Sequence, residues 1–536
     1  MTSNLGKLLL SLPALAVSAL AGSTSKCEVS AISIANATVD SVSHHLRGDV
    51  IPLPNTVASC GGSSFKVNIT SDLCRVVVNV STSESSSTRI EAWLPDDWNS
   101  RLLATGTGGI GGCIDYRFVQ NGAHLGFASF GTNTGHDGEQ GFEFFLNQPE
   151  TINDFGHRGI HVEAQIAKQI VEQYYGEKAS KSYYQGCSTG GRQGLQNAQL
   201  YPEDFDGILA GAPGIDWLHI VASKGILARR IGWPDLESNA YVRPEQWKAI
   251  VAKQIEMFDP LDGVNDGIID NPAAHSFDPA TMACGTNVLN SSLCLKPQQV
   301  SSVRAAYEPL ANSEGRIVYP GFNLGADTSV FSANQVNRTA QLSYTVLQDF
   351  WRGAVYNDST WTPHNFTVKD MDLAIKLNPG SVNADEGMLD KFYAKGGKII
   401  SYHGQADQTI TPKLIAEYYA KVQSNLNATL EEMHSFYRQF FIPGMYHCSG
   451  GPGAFDVGQV YPMDEGRLNA KENVLLALTK WVEEDEEPAT LVGAKYDSVG
   501  KASAYRKYCP YPFESKWDGS GNTAEADSWE CVVPGA

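Results

Sequence analysis

The chain has 536 residues, enough for roughly two to four domains or for one elaborated α/β unit. Apolar residues make up 42% and charged residues only 18%, which excludes a globally disordered chain. With 40 Lys and Arg against 59 Asp and Glu, the net charge is −19 at pH 7, so no general electrostatic attraction for nucleic acid or anionic lipid is expected.

The first 21 residues are typical of a secretory signal peptide. A short start with one positive charge precedes a small apolar run over residues 8–20, and Ala19-Leu20-Ala21 has the spacing of a signal-peptidase site. This run is too short to span a bilayer, and no later stretch reaches about 18 apolar residues. We therefore expect a secreted, extracellular protein and no membrane protein.

Features of exported glycoproteins follow along the chain. Eight Asn-X-Ser/Thr sequons are candidate glycosylation sites: Asn36, Asn68, Asn79, Asn290, Asn337, Asn357, Asn365 and Asn427. The ten cysteines are even in number, as complete disulfide pairing requires, and none forms the C-x-x-C pair of zinc or thioredoxin-type sites.

Segments of β character alternate with helical ones, which predicts an α/β fold. The predicted strands cover residues 74–80, 89–94, 101–105, 127–130, 182–185, 205–210 and 398–402. The predicted helices cover residues 161–175 and 193–200, and a Gly-rich loop at 106–112 follows the third strand.

Between about residues 216 and 395 the strand–helix rhythm is lost. This stretch is rich in Asn, Asp, Pro and aromatic residues, and the sheet pattern resumes after it. We therefore predict a catalytic domain formed by residues 22–215 and 396–536, with a large lid domain inserted at 216–395.

A candidate nucleophile lies between a predicted strand and a predicted helix. Gly186-Cys187-Ser188-Thr189-Gly190 matches G-x-S-x-G, which needs small residues on both sides of a tight turn that exposes the serine hydroxyl. The free N–H groups at the start of the following helix would face developing negative charge. A five-residue pattern also arises by chance in a long chain, but the strand–turn–helix context favours the functional interpretation.

A serine nucleophile needs a base, and the base needs an orienting carboxylate. Asp407 follows the late predicted strand, where the α/β-hydrolase order Ser, Asp, His expects the acid. Three later histidines compete for the base on order alone: His403, His434 and His447. Cys187 precedes Ser188 and Cys448 follows His447, so a bridge between these cysteines would tether serine to histidine, although pairing cannot be deduced from sequence alone.

Over nearly its whole length the chain resembles the tannase and feruloyl esterase family, within it the fungal type-B feruloyl esterases. The matching motifs are Gly186-Cys187-Ser188-Thr189-Gly190-Gly191-Arg192-Gln193-Gly194, Tyr402-His403-Gly404-Gln405-Ala406-Asp407 and Gly444-Met445-Tyr446-His447-Cys448. Residues 131–137 and the Gly108-Gly109 loop are also similar.

The resemblance implies an α/β-hydrolase core in which Ser188 is the nucleophile, His447 the general base and acid, and Asp407 its orienting partner. It also implies five disulfides: Cys27–Cys74, Cys60–Cys113, Cys187–Cys448, Cys284–Cys294 and Cys509–Cys531. The logic of this fold places the oxyanion hole at the N–H of Thr189 and an N–H of the Gly-rich loop, for which we choose Gly109.

A second candidate site lies in the predicted insertion, where residues 259–268 alternate carboxylates with glycines. Ca²⁺ takes six to eight oxygen ligands from carboxylates and carbonyls. The resemblance implies a structural calcium ion held by the side chains of Asp259, Asp262 and Asp266 and the carbonyls of Val264 and Ile268. The alternative is a solvated Asp/Gly turn, since the stretch departs from the EF-hand pattern.

The expected activity is two-step acyl transfer to water, releasing hydroxycinnamic acids such as ferulate, p-coumarate or caffeate from plant cell-wall polysaccharide esters. A tannase acting on galloyl esters is the nearest alternative, because it would use the same triad. A non-catalytic, secreted calcium-binding glycoprotein is the alternative from another class.

Overall fold

The computed structural model describes residues 27–235, 237–286, 292–326, 345–460, 467–498 and 500–534. The predicted signal peptide and the sequons at Asn290 and Asn337 lie outside the described residues. The other six sequon asparagines are all exposed. Among the described helices, none is long and apolar enough to cross a membrane.

A nine-stranded sheet forms the centre of the fold, in the order β1-β4-β5-β7-β6-β8-β9-β12-β13. Its first strands pair antiparallel, and the six from β7 to β13 run parallel. The strands are β1 Ala37–His45, β2 Val50–Pro52, β3 Lys66–Asn68, β4 Leu73–Ser81, β5 Ser87–Pro95, β6 Arg101–Thr105, β7 Ala128–Thr132, β8 Lys181–Cys187, β9 Gly207–Gly211, β10 Leu310–Ala311, β11 Ile317–Tyr319, β12 Lys398–Gly404, β13 Tyr437–Ile442, β14 Leu491–Tyr496, β15 Ala502–Tyr508, β16 Glu514–Trp517 and β17 Trp529–Val532.

Helices cover both faces of the parallel half, which explains why its strands are apolar and buried almost throughout. One face packs against α3, α4 and α11, and the other against α13. The α-helices are α1 Tyr116–His124, α2 Pro149–Asn153, α3 Gly159–Tyr175, α4 Thr189–Leu200, α5 Trp217–Arg230, α6 Pro244–Phe258, α7 Pro297–Tyr307, α8 Thr345–Phe350, α9 Val368–Leu377, α10 Asp390–Ala394, α11 Lys413–Leu426, α12 Leu430–His434 and α13 Val474–Glu484.

The predicted α/β class and all seven predicted strands are confirmed. Each end of these strands lies within two residues of its predicted position. The predicted helix at 193–200 begins earlier, at Thr189, and the strands β1 and β13 were not predicted. The carboxyl ends of β6, β8, β12 and β13 meet at one edge of the sheet because these strands are parallel. The predicted catalytic and oxyanion-hole residues follow these four ends, whereas the predicted calcium ligands follow α6.

Strands β9 and β12 are neighbours in the sheet although nearly 190 residues separate them in sequence. In between, the described residues form helices α5 to α10 and the small β10-β11 ladder. Their apolar core includes Trp217, Trp247 and Trp351 and is shared with Phe145, Phe155 and other residues outside the insertion. The boundaries of the inserted lid, 216 and 395, stay a prediction.

The structure contains all five disulfides that the resemblance implies, with Cα–Cα distances from 4.8 to 5.9 Å. No described cysteine is free. The Cys187–Cys448 bridge links residues 261 positions apart.

Candidate active site

Ser188 lies on a strained turn between β8 and α4. Its backbone has φ 64° and ψ −123°, a conformation that costs a non-glycine residue free energy and persists only where the surroundings enforce it. The Ser188 N–H donates to the carbonyl of Gly211 (2.9 Å). Glycine is required beside the turn, because a Cβ on Gly186 would lie 2.6 Å from the carbonyl carbon of Gly190.

Asp407 lies on the loop after β12 and is fully buried. Its Oδ2 is 2.8 Å from Nδ1 of His447, which follows β13. Its Oδ1 accepts hydrogen bonds from the backbone N–H groups of Thr409 (2.7 Å) and Ile410 (2.8 Å). Burial alone would raise the pKa of the Asp407 carboxyl, but the positive charge and hydrogen bonds of His447 and His403 hold it well below its usual range.

His403 contacts the same carboxylate oxygen as His447. Its Nε2 lies 3.1 Å from Oδ2 of Asp407 and 3.0 Å from the carbonyl oxygen of Ile410. Two acceptors at Nε2 require a proton there, and Nδ1 is buried with no hydrogen-bond partner among the described residues. His403 therefore supports Asp407 from behind and is buried away from solvent.

The three histidines that competed on sequence order have different surroundings. His434 lies on α12 and its Nε2 contacts the carbonyl oxygen of Tyr511 at 2.8 Å, at a distance from the acid loop. The side chain of His447 is 18% exposed, whereas that of His403 is fully buried. Of the three, the structure gives His447 both the contact with Asp407 and access to solvent.

The Cys187–Cys448 disulfide holds the turn that carries Ser188 against the loop that carries His447, with 5.9 Å between the Cα atoms. Phe118 of α1 and Ala212 form a buried apolar cluster with Cys187, and Cys448 packs against this cluster. The backbone N–H of His447 donates to Oε1 of Gln408 at 3.1 Å, which ties this loop to the neighbour of Asp407. Serine, acid and histidine are therefore brought to one edge of the sheet by the connections that follow β8, β12 and β13.

The Gly-rich loop after β6 lies directly beside the start of α4. The hydroxyl of Thr189 donates to the carbonyl oxygen of Gly109 at 2.6 Å, and Trp217 Nε1 donates to the same hydroxyl at 3.1 Å. Gly109 has φ +54°, in the region that favours glycine. Neither the N–H of Thr189 nor that of Gly109 donates to another group of the described chain.

Two buried cationic side chains, Arg192 and Lys224, connect the inserted segment to these loops. Sequence analysis did not predict these contacts. The Arg192 guanidinium on α4 donates to the carbonyls of Gly156 (2.6 Å) and Phe155 (3.1 Å) and, across the insertion, to that of Val382 (2.9 Å). Lys224 on α5 donates to the carbonyl oxygen of Thr409 in the acid loop. Burial lowers the pKa of Lys224 to about 7.

The predicted calcium stretch forms a tight loop whose carboxylates accept backbone hydrogen bonds. Asp259 accepts from the N–H groups of Asp266 (3.2 Å) and Gly267 (3.1 Å), and Asp262 from that of Val264 (2.8 Å). Burial, with repulsion by Asp270, raises the pKa of Asp262 to about 7 and that of Asp266 to about 6. Across the described residues, no three His, Cys, Asp or Glu side chains already converge as a metal cluster.

Comparison with known proteins identifies what the chain is similar to. The family model described as tannase and feruloyl esterase matches residues 74–532. The chain is 36% identical over 504 residues to a probable feruloyl esterase B-2 of Aspergillus oryzae, covering 94% of each chain. The crystal structure of feruloyl esterase B from Aspergillus oryzae superposes with a TM-score of 0.87 at 33% identity, over 95% of this chain and 99% of that one. Tannin acyl hydrolase from Aspergillus niger, at 20% identity and a TM-score of 0.73, shares the fold over 95% and 96% of the two chains.

Proposed function

The chain belongs to the tannase and feruloyl esterase family, and we propose that it is a secreted serine esterase that releases hydroxycinnamic acids from plant cell-wall esters. Membership of this family makes it a carboxylic ester hydrolase with an α/β-hydrolase core. The observation that carries the proposed mechanism is the contact between Asp407 and His447 beside the strained turn of Ser188.

In this mechanism the Ser188 hydroxyl attacks the ester carbonyl while Nε2 of His447 takes its proton. Nδ1 of His447 faces Asp407, so Nε2 is the nitrogen that serves the serine. The negative charge on the carbonyl oxygen is stabilised by the N–H groups of Thr189 and Gly109. His447 then returns the proton to the leaving alcohol, and a water molecule activated by His447 releases the acid from the acyl-enzyme.

Asp407 contributes by staying ionised. A buried carboxylate with a lowered pKa keeps its negative charge over the working pH range, so it fixes the tautomer of His447 and stabilises the imidazolium that forms. The strained backbone of Ser188 and the Cys187–Cys448 bridge hold the reacting groups in place before the substrate arrives.

Similarity over the whole chain to proteins named feruloyl esterase B supports a hydroxycinnamoyl acyl group. Beside the proposed oxyanion hole, Trp217 donates to the Thr189 hydroxyl and packs edge-on against Phe155 (5.6 Å between ring centroids) and Phe350 (4.6 Å). These three aromatic side chains are buried, so they hold Thr189 in place and do not present an open face to the substrate.

The test is hydrolysis of methyl ferulate, methyl caffeate and methyl gallate, side by side, by the wild type and by Ser188→Ala. Ser180→Ala, a change to an exposed serine at the far end of β8, is the matched control. We expect the two cinnamates to be hydrolysed faster than the gallate. Ser188→Ala should lower the rate of hydrolysis by at least about a thousandfold, as loss of a nucleophile does. A preference for gallate would move the protein to the tannase branch, and full activity in Ser188→Ala would refute the mechanism.

The absence of activity on all three esters would favour the non-catalytic glycoprotein. That alternative keeps the fold and the secretion signal but predicts no serine-dependent hydrolysis.

The proposed secretion and glycosylation have their own test, because treatment with an N-glycosidase should lower the mass of the secreted protein. The exposure of six sequon asparagines supports this expectation.

We also propose that a structural calcium ion is bound by Asp259, Asp262 and Asp266 with the carbonyls of Val264 and Ile268. Crowded carboxylates with raised pKa values fit a site for a hard cation, which would remove their mutual repulsion. The ion would order the loop at the end of α6. Calcium should raise the melting temperature, and EDTA should lower it, in the wild type but not in Asp262→Asn; an unchanged melting temperature in the wild type would refute the site.

A further inference from the structure

An open cavity lies at the edge of the central sheet, where Phe441 of the last strand, β13, lines it. It has a volume of about 470 Å³, within the range of about 300–1,000 Å³ that small-molecule sites occupy. Its other walls come from the start of α11, from the inserted segment at 270–274 and from the C-terminal segment at 509–515. No member of the proposed triad lines it, so the cavity is separate from the proposed active site.

Two loops of the proposed active site begin at the wall of this cavity. Gln405, two residues before Asp407, and Pro443, four residues before His447, both line it. The two loops are joined there, because the backbone N–H of Gln405 donates to the carbonyl of Ile442 at 2.9 Å. A ligand in the cavity would therefore contact the beginnings of both loops.

The walls of the cavity are mostly apolar, and three of the lining side chains are aromatic. The rings of Phe441 and Tyr511 meet edge to face with 5.5 Å between their centroids. Both rings are partly exposed, as is that of Phe513, so they are open to contact with a ligand. Aromatic side chains of this kind pack against a planar ring through their faces and edges. Four prolines complete the apolar surface: Pro412, Pro443, Pro512 and Pro534.

The charged groups of the cavity favour a neutral ligand. Asp270 is neutralised by Arg506, which donates to its two carboxylate oxygens at 2.8 and 2.5 Å. Glu514 accepts one hydrogen bond, from Nδ2 of Asn271 to its Oε1 at 2.7 Å. The only cation that lines the cavity, Lys413, already donates to a backbone carbonyl at 3.3 Å. An anion would face two carboxylates there, whereas a neutral hydroxyl group can donate a hydrogen bond to Glu514.

We propose that this cavity binds a neutral, planar phenol, with its ring against Phe441, Tyr511 and Phe513 and its hydroxyl group donating to Glu514. The volume leaves room for ring substituents such as methoxy groups and a short side chain. The bound phenol would lie outside the proposed active site and contact the loops of Asp407 and His447 where they begin. Binding requires no hydrolysis, so this inference and the proposed function can fail independently.

The experiment is a calorimetric titration of the wild type with two ligands that carry the same methoxyphenol ring. Vanillyl alcohol is neutral, and vanillate carries a carboxylate at neutral pH. Vanillyl alcohol should bind with a Kd of roughly 0.1–1 mM, as expected for a ligand of about ten heavy atoms. Vanillate should bind at least about fivefold more weakly, because two carboxylates line the cavity.

Two variants place the ligand. Ala416→Leu fills the cavity from α11 and should weaken binding of vanillyl alcohol by at least about tenfold. Glu514→Gln keeps a carbonyl oxygen for Asn271 but removes the carboxylate, and should weaken binding about five- to tenfold. Ala420→Leu is the matched control, because Ala420 is exposed one turn further along α11 and does not line the cavity; its Kd should equal that of the wild type. Melting temperatures show that each variant is folded, and Glu514→Gln carries the test if Ala416→Leu does not fold.

Three results would overturn the inference. One is the absence of saturable binding of vanillyl alcohol to the wild type up to about 10 mM, ten times the weakest expected Kd. Another is a Kd that neither cavity variant changes, which would place the phenol elsewhere, for instance in the proposed active site. The third is binding of vanillate as tight as that of vanillyl alcohol, which would contradict a site for a neutral ligand. None of these results depends on hydrolysis by Ser188.

Discussion

Replacing His403 with phenylalanine tests how Asp407, the acid of the proposed triad, is kept ionised. In the wild type, Oδ2 of Asp407 lies between two imidazoles, with His447 at 2.8 Å and His403 at 3.1 Å. His403→Phe removes one of these N–H groups from a carboxylate that is fully buried. The pKa of Asp407 should therefore rise, because a hydrogen bond to its charged form is lost while its burial remains.

The size of the effect follows from the geometry. A hydrogen bond to a charged group contributes about 1.5–3 kcal/mol. The contact from His403 is longer than the 2.7–2.9 Å of a strong charge-assisted bond, and its N–H is shared with the carbonyl of Ile410. The lower end, about 1.5 kcal/mol, corresponds to about a tenfold smaller ionised fraction of Asp407 at pH values where its protonation limits the rate, and so to about a tenfold loss of kcat/KM on the acidic limb, with little loss near neutral pH.

The sign of the pH dependence is fixed by the depressed pKa of Asp407. A carboxyl with a lowered folded-state pKa contributes stability above its unfolded pKa of about 3.9, and this contribution is lost as the pH falls through the folded value. Raising the folded-state pKa moves protonation of Asp407 to higher pH. The acidic limb of kcat/KM should therefore move to higher pH in His403→Phe, and the deficit should grow as the pH falls.

The assay is a pH profile of kcat/KM on methyl ferulate, with melting temperatures to show that each variant is folded. His403→Gln retains an amide N–H and should recover part of the acidic limb. His434→Phe loses a comparable contact, to the carbonyl of Tyr511, and should leave the profile unchanged. A folded His403→Phe with the wild-type acidic limb would refute this account of Asp407.

Two further outcomes are expected from the contacts around Ser188. Removing the Cys187–Cys448 bridge by alanine substitution should lower kcat and the melting temperature more than removing the Cys284–Cys294 bridge. The first bridge closes a loop of 261 residues and the second a loop of 10, and the first is worth up to about 5 kcal/mol in the chain-entropy model. Equal losses in the two variants would contradict a positioning role for Cys187–Cys448. Arg192→Met should lower the free energy of unfolding in urea by at least about 3 kcal/mol, because three buried carbonyls lose their donor, whereas the exposed Arg316→Met should change it little.

Five of the six parallel strands were predictable because they are short apolar runs bounded by turns. The parallel half of the sheet brings the motifs together, since parallel strands end at one edge. The place of Ser188 between a strand and a helix was predictable because that context is local, and its role as nucleophile stays a prediction. The choice of His447 over His403 depended on the neighbouring cysteine, and the contact of Asp407 with both histidines shows that sequence order alone did not distinguish them.

The elements that sequence reasoning missed have apolar patterns interrupted for tertiary reasons. Strand β13 contains Arg438 and Gln439, which are buried because Arg438 donates to the carbonyl of Pro488 (2.9 Å) and Gln439 accepts from Ser401. The first turn of α4 is rich in glycine, which weakens helical propensity. Close packing requires it, because a Cβ on Gly191 would lie 2.4 Å from the carbonyl oxygen of Gly211.

The contacts of the inserted segment argue for a role beyond that of the predicted lid. Trp217 donates a hydrogen bond to Thr189 at the start of α4. Lys224 donates a hydrogen bond to the carbonyl of Thr409 in the loop of Asp407. The rings of Phe322 and Tyr319 lie 4.8 and 5.5 Å from the Lys224 ammonium. One inserted helix, α5, thus contacts both the nucleophile turn and the acid loop. The buried ammonium of Lys224 has lost its hydration and faces a carbonyl and two aromatic rings instead. It keeps its hydrogen bond to Thr409 only while the loop of Asp407 stays in place. The positions of the nucleophile and the acid are therefore coupled through the insertion, and changes in its packing should alter kcat as well as KM.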